Sequence, residues 1–133
     1  MNIKNDLEYG LNKELEILDL LRNKFGESIT KTIDKFNSFD FEGDNIKIEL
    51  KSRRNTSYYY PTTMIGHRKV LAAKDKDIQY YYVFKYTDKV LYCEYNKDDF
   101  KNFEVKKGGR EDRGKIETDN YIYIPIEYMK QLI

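Results

Sequence analysis

Asp40, Glu49 and Lys51 are residues whose types and spacing could do chemistry together. They fall in the stretch SFDFEGDNIKIELKSRR, residues 38 to 54, which reads as two strands joined by a tight turn. Phe41, Ile46, Ile48 and Leu50, with Phe39, take one face of that hairpin by alternation, while Asp40, Lys47, Glu49, Lys51 and Arg53 take the other. With the turn in EGDN, Phe41 stands opposite Ile46 and Asp40 opposite Lys47. Glu49 is then diagonal to Asp40 at about 7 to 8 Å between Cα atoms. Two carboxylates at that separation can converge on one ion. A magnesium ion is commonly held by one or two carboxylates, with waters and a substrate phosphate completing its octahedron. Such an ion acidifies a water nucleophile and neutralises charge building on a phosphate oxygen, and the Lys51 ammonium can orient the water or help deprotonate it. Cross-strand ion pairs on a solvated face use the same residue types, each contributing under about 1 kcal/mol.

A third carboxylate is out of place. NDLEYGLNKELEILDLLRNKFGES carries Leu7, Leu11, Leu18, Leu21 and Phe25 at helical spacings and stops at Gly26. Winding that helix at about 100° per residue puts Glu14 roughly 20° from the axis of its apolar stripe. A lone carboxylate in a core costs several kcal/mol, so Glu14 calls for a cation, a metal or water nearby. It would serve as a further ligand, direct or through water, or as the partner of a buried Lys or Arg.

The elements that must position these groups follow in order. A short strand around ITKTIDKF precedes the hairpin. Thr62 or Thr63 caps a second helix through about Lys76, and IQYYYVFKYTDKVLYCEY forms a strand pair turning at Thr87 to Lys89. KKGGREDRGK is a polar loop, YIYIP a last short strand, and IEYMKQLI a C-terminal helical turn. The pattern predicts an α+β fold with a central mixed sheet of about four to five strands flanked by helices.

Composition bounds the rest. The 133 residues suit one domain over 1–133, and 40% hydrophobic with 35% charged content excludes a disordered chain. Lys and Arg total 24 against 23 Asp and Glu, a net charge of +1, so a nucleic-acid surface must come from local clustering. The single cysteine, Cys93, excludes an internal disulfide and a Cys-rich zinc site. No apolar run approaches the roughly 20 residues of a membrane span, and the start lacks a secretory segment. These features read as a cytoplasmic protein without a membrane partner.

In their order and types, these residues resemble the PD-(D/E)XK, or restriction-endonuclease-like, nuclease superfamily. The resemblance covers roughly residues 5 to 95 and is carried by Glu14 in GLNKE, Asp40 in FDF, and Glu49 with Lys51 in IELK. It implies a first-helix acid at Glu14, metal-binding Asp40 and Glu49, and a catalytic Lys51. Phe39 stands where the name motif has Pro, a departure that removes no ligand. In size the chain is similar to Holliday-junction resolvases and to viral or phage nucleases. The resemblance therefore implies a Mg²⁺-dependent deoxyribonuclease, with Mn²⁺ as a substitute, acting as an endonuclease on duplex or branched DNA. A symmetric junction as substrate would call for a homodimer.

Further candidates surround that core. Alternation puts Arg53 on the same side as Lys51, within reach of a phosphate. The family's second helix often contributes a basic residue near the metal, which implies Lys69, with Arg68 as its competitor. Arg110 and Arg113 offer a phosphate clamp in the polar loop, offset by Glu111 and Asp112. His67, the one histidine, is read as exposed or hydrogen-bonded and not as a ligand. YYYP at 58 to 61 is read as loop. Two rival readings stand beside the nuclease: a non-cutting DNA-binding or scaffolding module of the same fold, and an unrelated α+β interaction protein.

Overall fold

The computed structural model describes residues 16–33, 37–107 and 120–133. Helix α1 covers 16–25, and the spacing of its apolar residues turns Ile17 and Leu21 fully inward, with Leu18, Leu20 and Phe25 packed around them. It ends at Gly26, whose φ of 124° lies where a side chain would be strained and whose N–H donates to Arg22 O at 2.9 Å. Arg22 Nε then donates to Ile29 O at 2.8 Å, tying the helix to the strand that follows.

Six strands form the main sheet: β1 (Thr30–Lys31), β2 (Phe41–Gly43), β3 (Ile46–Ser52), β5 (Gln79–Lys85), β6 (Val90–Glu94) and β9 (Lys130–Gln131), in the order β1-β2-β3-β5-β6-β9. Only β3 and β5 pair in parallel. The connection between them carries β4 (Thr62–Gly66) and α2 (His67–Leu71). A second sheet, β4-β8-β7, is completed by β7 (Glu104–Lys107) and β8 (Asn120–Pro125). Short α3 (Lys97–Phe100) is capped by Asn96, whose side chain accepts from Asp99 N–H at 3.0 Å.

The main sheet is buried on both faces. On one side Phe41, Ile46, Ile48, Val83, Val90 and Tyr92 pack against Ile17 and Leu21 of α1. On the other, Tyr80, Tyr82 and Phe84 pack against Val70 of α2 and against Ile65, Ile122 and Ile124 of the second sheet. Strand β5 supplies both sets by strict alternation. The expected α+β fold with a mixed sheet is the one observed, and the sheet has six strands where four to five were anticipated.

Three local expectations are corrected. The hairpin turns at Asp44 and Asn45, with Asn45 at φ 59°, and pairs Phe41 with Ile48 rather than Ile46. Gly43 lets this hairpin lie close to the chain after α1: an added Cβ there would lie 2.7 Å from Ser28 Oγ and 2.9 Å from Ile29 Cδ1. A two-residue slip keeps side chains on their faces but brings Asp40 level with Glu49 instead of Lys47. Phe39 does not join Phe41. It packs on Tyr80 and Tyr82 at 5.1 and 6.4 Å between ring centroids, on the opposite face, because Asn37 turns the chain by accepting the Phe39 N–H. Finally, 62–66 is a strand and only 67–71 is helical. The β-branched Thr62, Thr63 and Ile65 pair with Pro125, Ile124 and Ile122, so a partner strand overrides the local capping signal. At the C-terminus the helical turn is a 3₁₀ turn, Ile126–Tyr128, followed by the edge strand β9. Of the polar loop KKGGREDRGK, Lys106 and Lys107 belong to β7 and the rest lies outside the described residues.

Candidate active site

Strand β3 delivers Glu49 to the face that packs on the second sheet, next to Tyr82 of β5. Its carboxylate is 2% exposed, unusual for an acid in a strand centre. Lys51 Nζ lies 3.6 Å from Oε1, and Lys69 Nζ lies 3.5 Å from Oε2. Oε2 is sealed from solvent and faces the Lys69 ammonium at the outer limit of hydrogen-bond distance. Burial pushes Glu49 up to about 7, the Asp40 carboxylate pushes in the same direction, and Lys69 and Lys51 oppose both.

Asp40 is fixed from three sides. Its N–H donates to Ile48 O at 3.0 Å, its carbonyl accepts from Thr32 N–H at 2.9 Å, and its Oδ2 accepts from Leu50 N–H at 2.9 Å. The last bond holds the carboxylate against the backbone just beyond Glu49. Lys69 is anchored as firmly: besides Glu49 it donates to Ser38 O at 2.8 Å, and its own carbonyl accepts from the Tyr82 hydroxyl at 2.9 Å. Tyr82 is fully buried, and burial raises its hydroxyl well above the usual phenol range, so it stays a donor.

The structure thus brings together Asp40, Glu49, Lys51 and Lys69. Arg53 sits further along the same strand direction, its guanidinium over the Phe84 ring at 5.8 Å and donating to Met64 O, so it braces β3 against β4. Glu14, Arg110 and Arg113 lie outside the described residues. A cleft of about 290 Å³ opens beside the lysines, with His67, Arg68, Asn120 and Tyr121 in its wall. Ser38, Tyr82, Asn120 and Tyr121 were not anticipated. Tyr82 had a signal, since it alternates in phase with Tyr80 and Phe84, but its relation to Glu49 depends on the parallel pairing of β3 with β5, which no local pattern announces.

The donor set has a definite chemistry. Carboxylate oxygens are hard ligands of the kind that Mg²⁺ and Mn²⁺ take. Among the described residues, no group of three or more His, Cys, Asp or Glu side chains gathers in ligand geometry. What remains is a pair of acids, Asp40 and the buried Glu49, and a divalent cation fits that pair through their hard oxygen donors, where Lys69 and Lys51 now supply the positive charge.

A mixed sheet with an acidic pair and a lysine on one strand face, reached by a second basic residue from the crossover, is a restriction-endonuclease-like core. Residues 21–132 match the family model described as "Phage putative PDDEXK endonuclease", and the chain belongs to that family. A search of curated proteins returns no match. Among the described residues, no helix is long and apolar enough to cross a membrane.

Proposed function

We propose that this protein is a divalent-metal-dependent nuclease that hydrolyses DNA phosphodiester bonds, acting as an endonuclease on duplex or branched DNA. The observation that carries the reading is the buried Glu49 carboxylate, facing Lys69 and neighboured by Asp40. Asp40 and Glu49 would hold Mg²⁺ or Mn²⁺, with Glu14 as a further ligand. The bound ion would supply an acidified water and neutralise charge on a phosphate oxygen. Lys51, with its side chain 37% exposed, reaches both Glu49 and the cleft, so its ammonium can orient the attacking water. Lys69 and Arg53, with Arg110 and Arg113, are assigned to phosphate contacts along the strand. Tyr82 keeps Lys69 in place through its carbonyl.

Two lysines already neutralise Glu49, and that favours one second reading, a DNA-binding module that does not cut. The test incubates purified protein with supercoiled plasmid, linear duplex and a four-way junction under Mg²⁺, Mn²⁺ or EDTA, beside Asp40→Ala and Lys51→Ala. Metal-dependent cutting by the wild type, lost in both variants, is expected. DNA binding without cutting on any substrate would establish the second reading instead.

A further inference from the structure

Among the described tyrosines, Tyr80, Tyr82, Tyr86 and Tyr92 are buried, whereas Tyr58, Tyr59 and Tyr60 are 79%, 67% and 57% exposed. Three adjacent exposed aromatic rings form an apolar patch of the kind that marks a contact surface. Their loop is tied down at both ends. Ser57 donates from its N–H and hydroxyl to Asp88 at 2.8 and 2.7 Å, and Pro61 O accepts from Ile126 N–H at 2.9 Å. Tyr59 and Tyr60 meet edge to face at 4.7 Å. The rings are therefore held in place before any contact is made.

Beside the loop opens a pocket of about 470 Å³, within the range of about 300–1,000 Å³ that small ligands occupy. Tyr60 and Tyr123 contribute rings to it, and Arg53, Asn55 and Thr62 contribute polar groups. Tyr86 also lines it, with its hydroxyl sealed beneath the surface beside Thr63. A planar, mostly apolar guest with polar edges matches the rings and polar groups of this lining. The location narrows the guest further: Arg53 follows Lys51 by two residues along the β3 direction, a rise of about 6.5 Å. A strand lying in the candidate active site would pass this pocket about one nucleotide away.

We propose that this pocket receives one unpaired nucleobase of the substrate strand, with Tyr60 as its stacking wall. The proposal rests on the nuclease reading for its substrate class. Stacking suits an unpaired base because both of its faces are open, whereas a paired base inside a duplex offers none. The polar groups then read its edge, as in sites that take a base out of the stack.

The experiment measures binding of oligonucleotides carrying 2-aminopurine, either paired within a duplex or unpaired in a gap, in EDTA so that no cutting occurs. Wild type, Tyr60→Ala, Tyr60→Phe and Asp40→Ala are compared. The expected result is tighter binding and quenched emission for the unpaired probe. Tyr60→Ala should weaken that binding roughly 5- to 100-fold, and Tyr60→Phe should retain it. Equal affinity for both probes, or no effect of Tyr60→Ala, overturns the proposal. So does a wild-type dimer that Tyr60→Ala converts to monomer with the quenching unchanged, since the patch would then serve a second copy of the chain. The two readings fail separately: plasmid cutting lost in Asp40→Ala tests the nuclease, while quenching in EDTA tests the pocket alone.

Discussion

Lys69 Nζ stands 3.5 Å from Glu49 Oε2, close enough to neutralise it. The same ammonium donates to Ser38 O at 2.8 Å, two residues before Asp40. One lysine from the crossover thus fixes both the buried acid and the chain that leads into its companion. In the metal-free protein, Lys69 supplies the positive charge that a divalent ion would bring.

Replacing Lys69 by Met should therefore destabilise the metal-free protein by about 1 to 2 kcal/mol at pH 8. That is less than for a fully buried pair, because Lys51 remains beside Glu49. Below pH 6 most of the difference should vanish as Glu49 takes up a proton. Urea unfolding of both proteins at the two pH values measures it.

Glu49 itself predicts a pH dependence. Its native value is raised from 4.5 to about 7 by burial and by Asp40, so between those limits the folded state binds more protons than the unfolded chain. This contribution is full below about 4.5 and is lost as pH rises through about 7. Glu49→Gln, which cannot ionise, should be more stable than wild type at pH 8 by up to roughly 3 kcal/mol and nearly equal to it at pH 5. The same proton competes with any divalent ion on this carboxylate. Affinity for Mg²⁺ or Mn²⁺ should fall up to about tenfold per unit below pH 7, which calorimetry in buffers of different ionisation enthalpy would resolve as proton release.

Tyr82→Phe removes the hydroxyl that donates to Lys69 O at 2.9 Å while preserving the ring in the core. The loss should be about 1 kcal/mol of stability. Because the freed carbonyl belongs to the lysine that reaches Glu49, cutting should slow severalfold, with a smaller change in DNA affinity. Single-turnover cleavage against direct binding separates the two.

Gly43→Ala tests this close approach of the hairpin to the chain after α1. Its new methyl would lie within 3.0 Å of Ser28, Ile29 and Ile46 side chains, and relief requires the hairpin to move. A loss of about 1 to 3 kcal/mol is expected. Ser28→Ala in the same background should recover part of it, because Ser28 Oγ is the nearest of these atoms.

Much of the site was legible because a strand alternates. IKIELKS announces which residues share a face, and the hairpin slip of two residues left those faces intact. What alternation does not carry is where regular pairing starts, and so Phe39 went to the wrong side. The second helix was overcalled because Thr62 and Thr63 suit both a helix cap and a strand. The deciding fact, β8 lying alongside, is more than fifty residues away in sequence. Glu49 being sealed from solvent was equally invisible, since it depends on Tyr82 below and α2 above. The exposed tyrosines illustrate the reverse: a triplet read as plain loop ends in Tyr60, which lines a formed pocket.

The main sheet closes on each side with a strand of only two residues, β1 and β9. Such short margins offer an incoming strand almost no backbone to pair with. The sheet is thereby guarded against growing edge to edge into aggregates. Two copies of this chain that share a substrate would not meet by extending the main sheet across both.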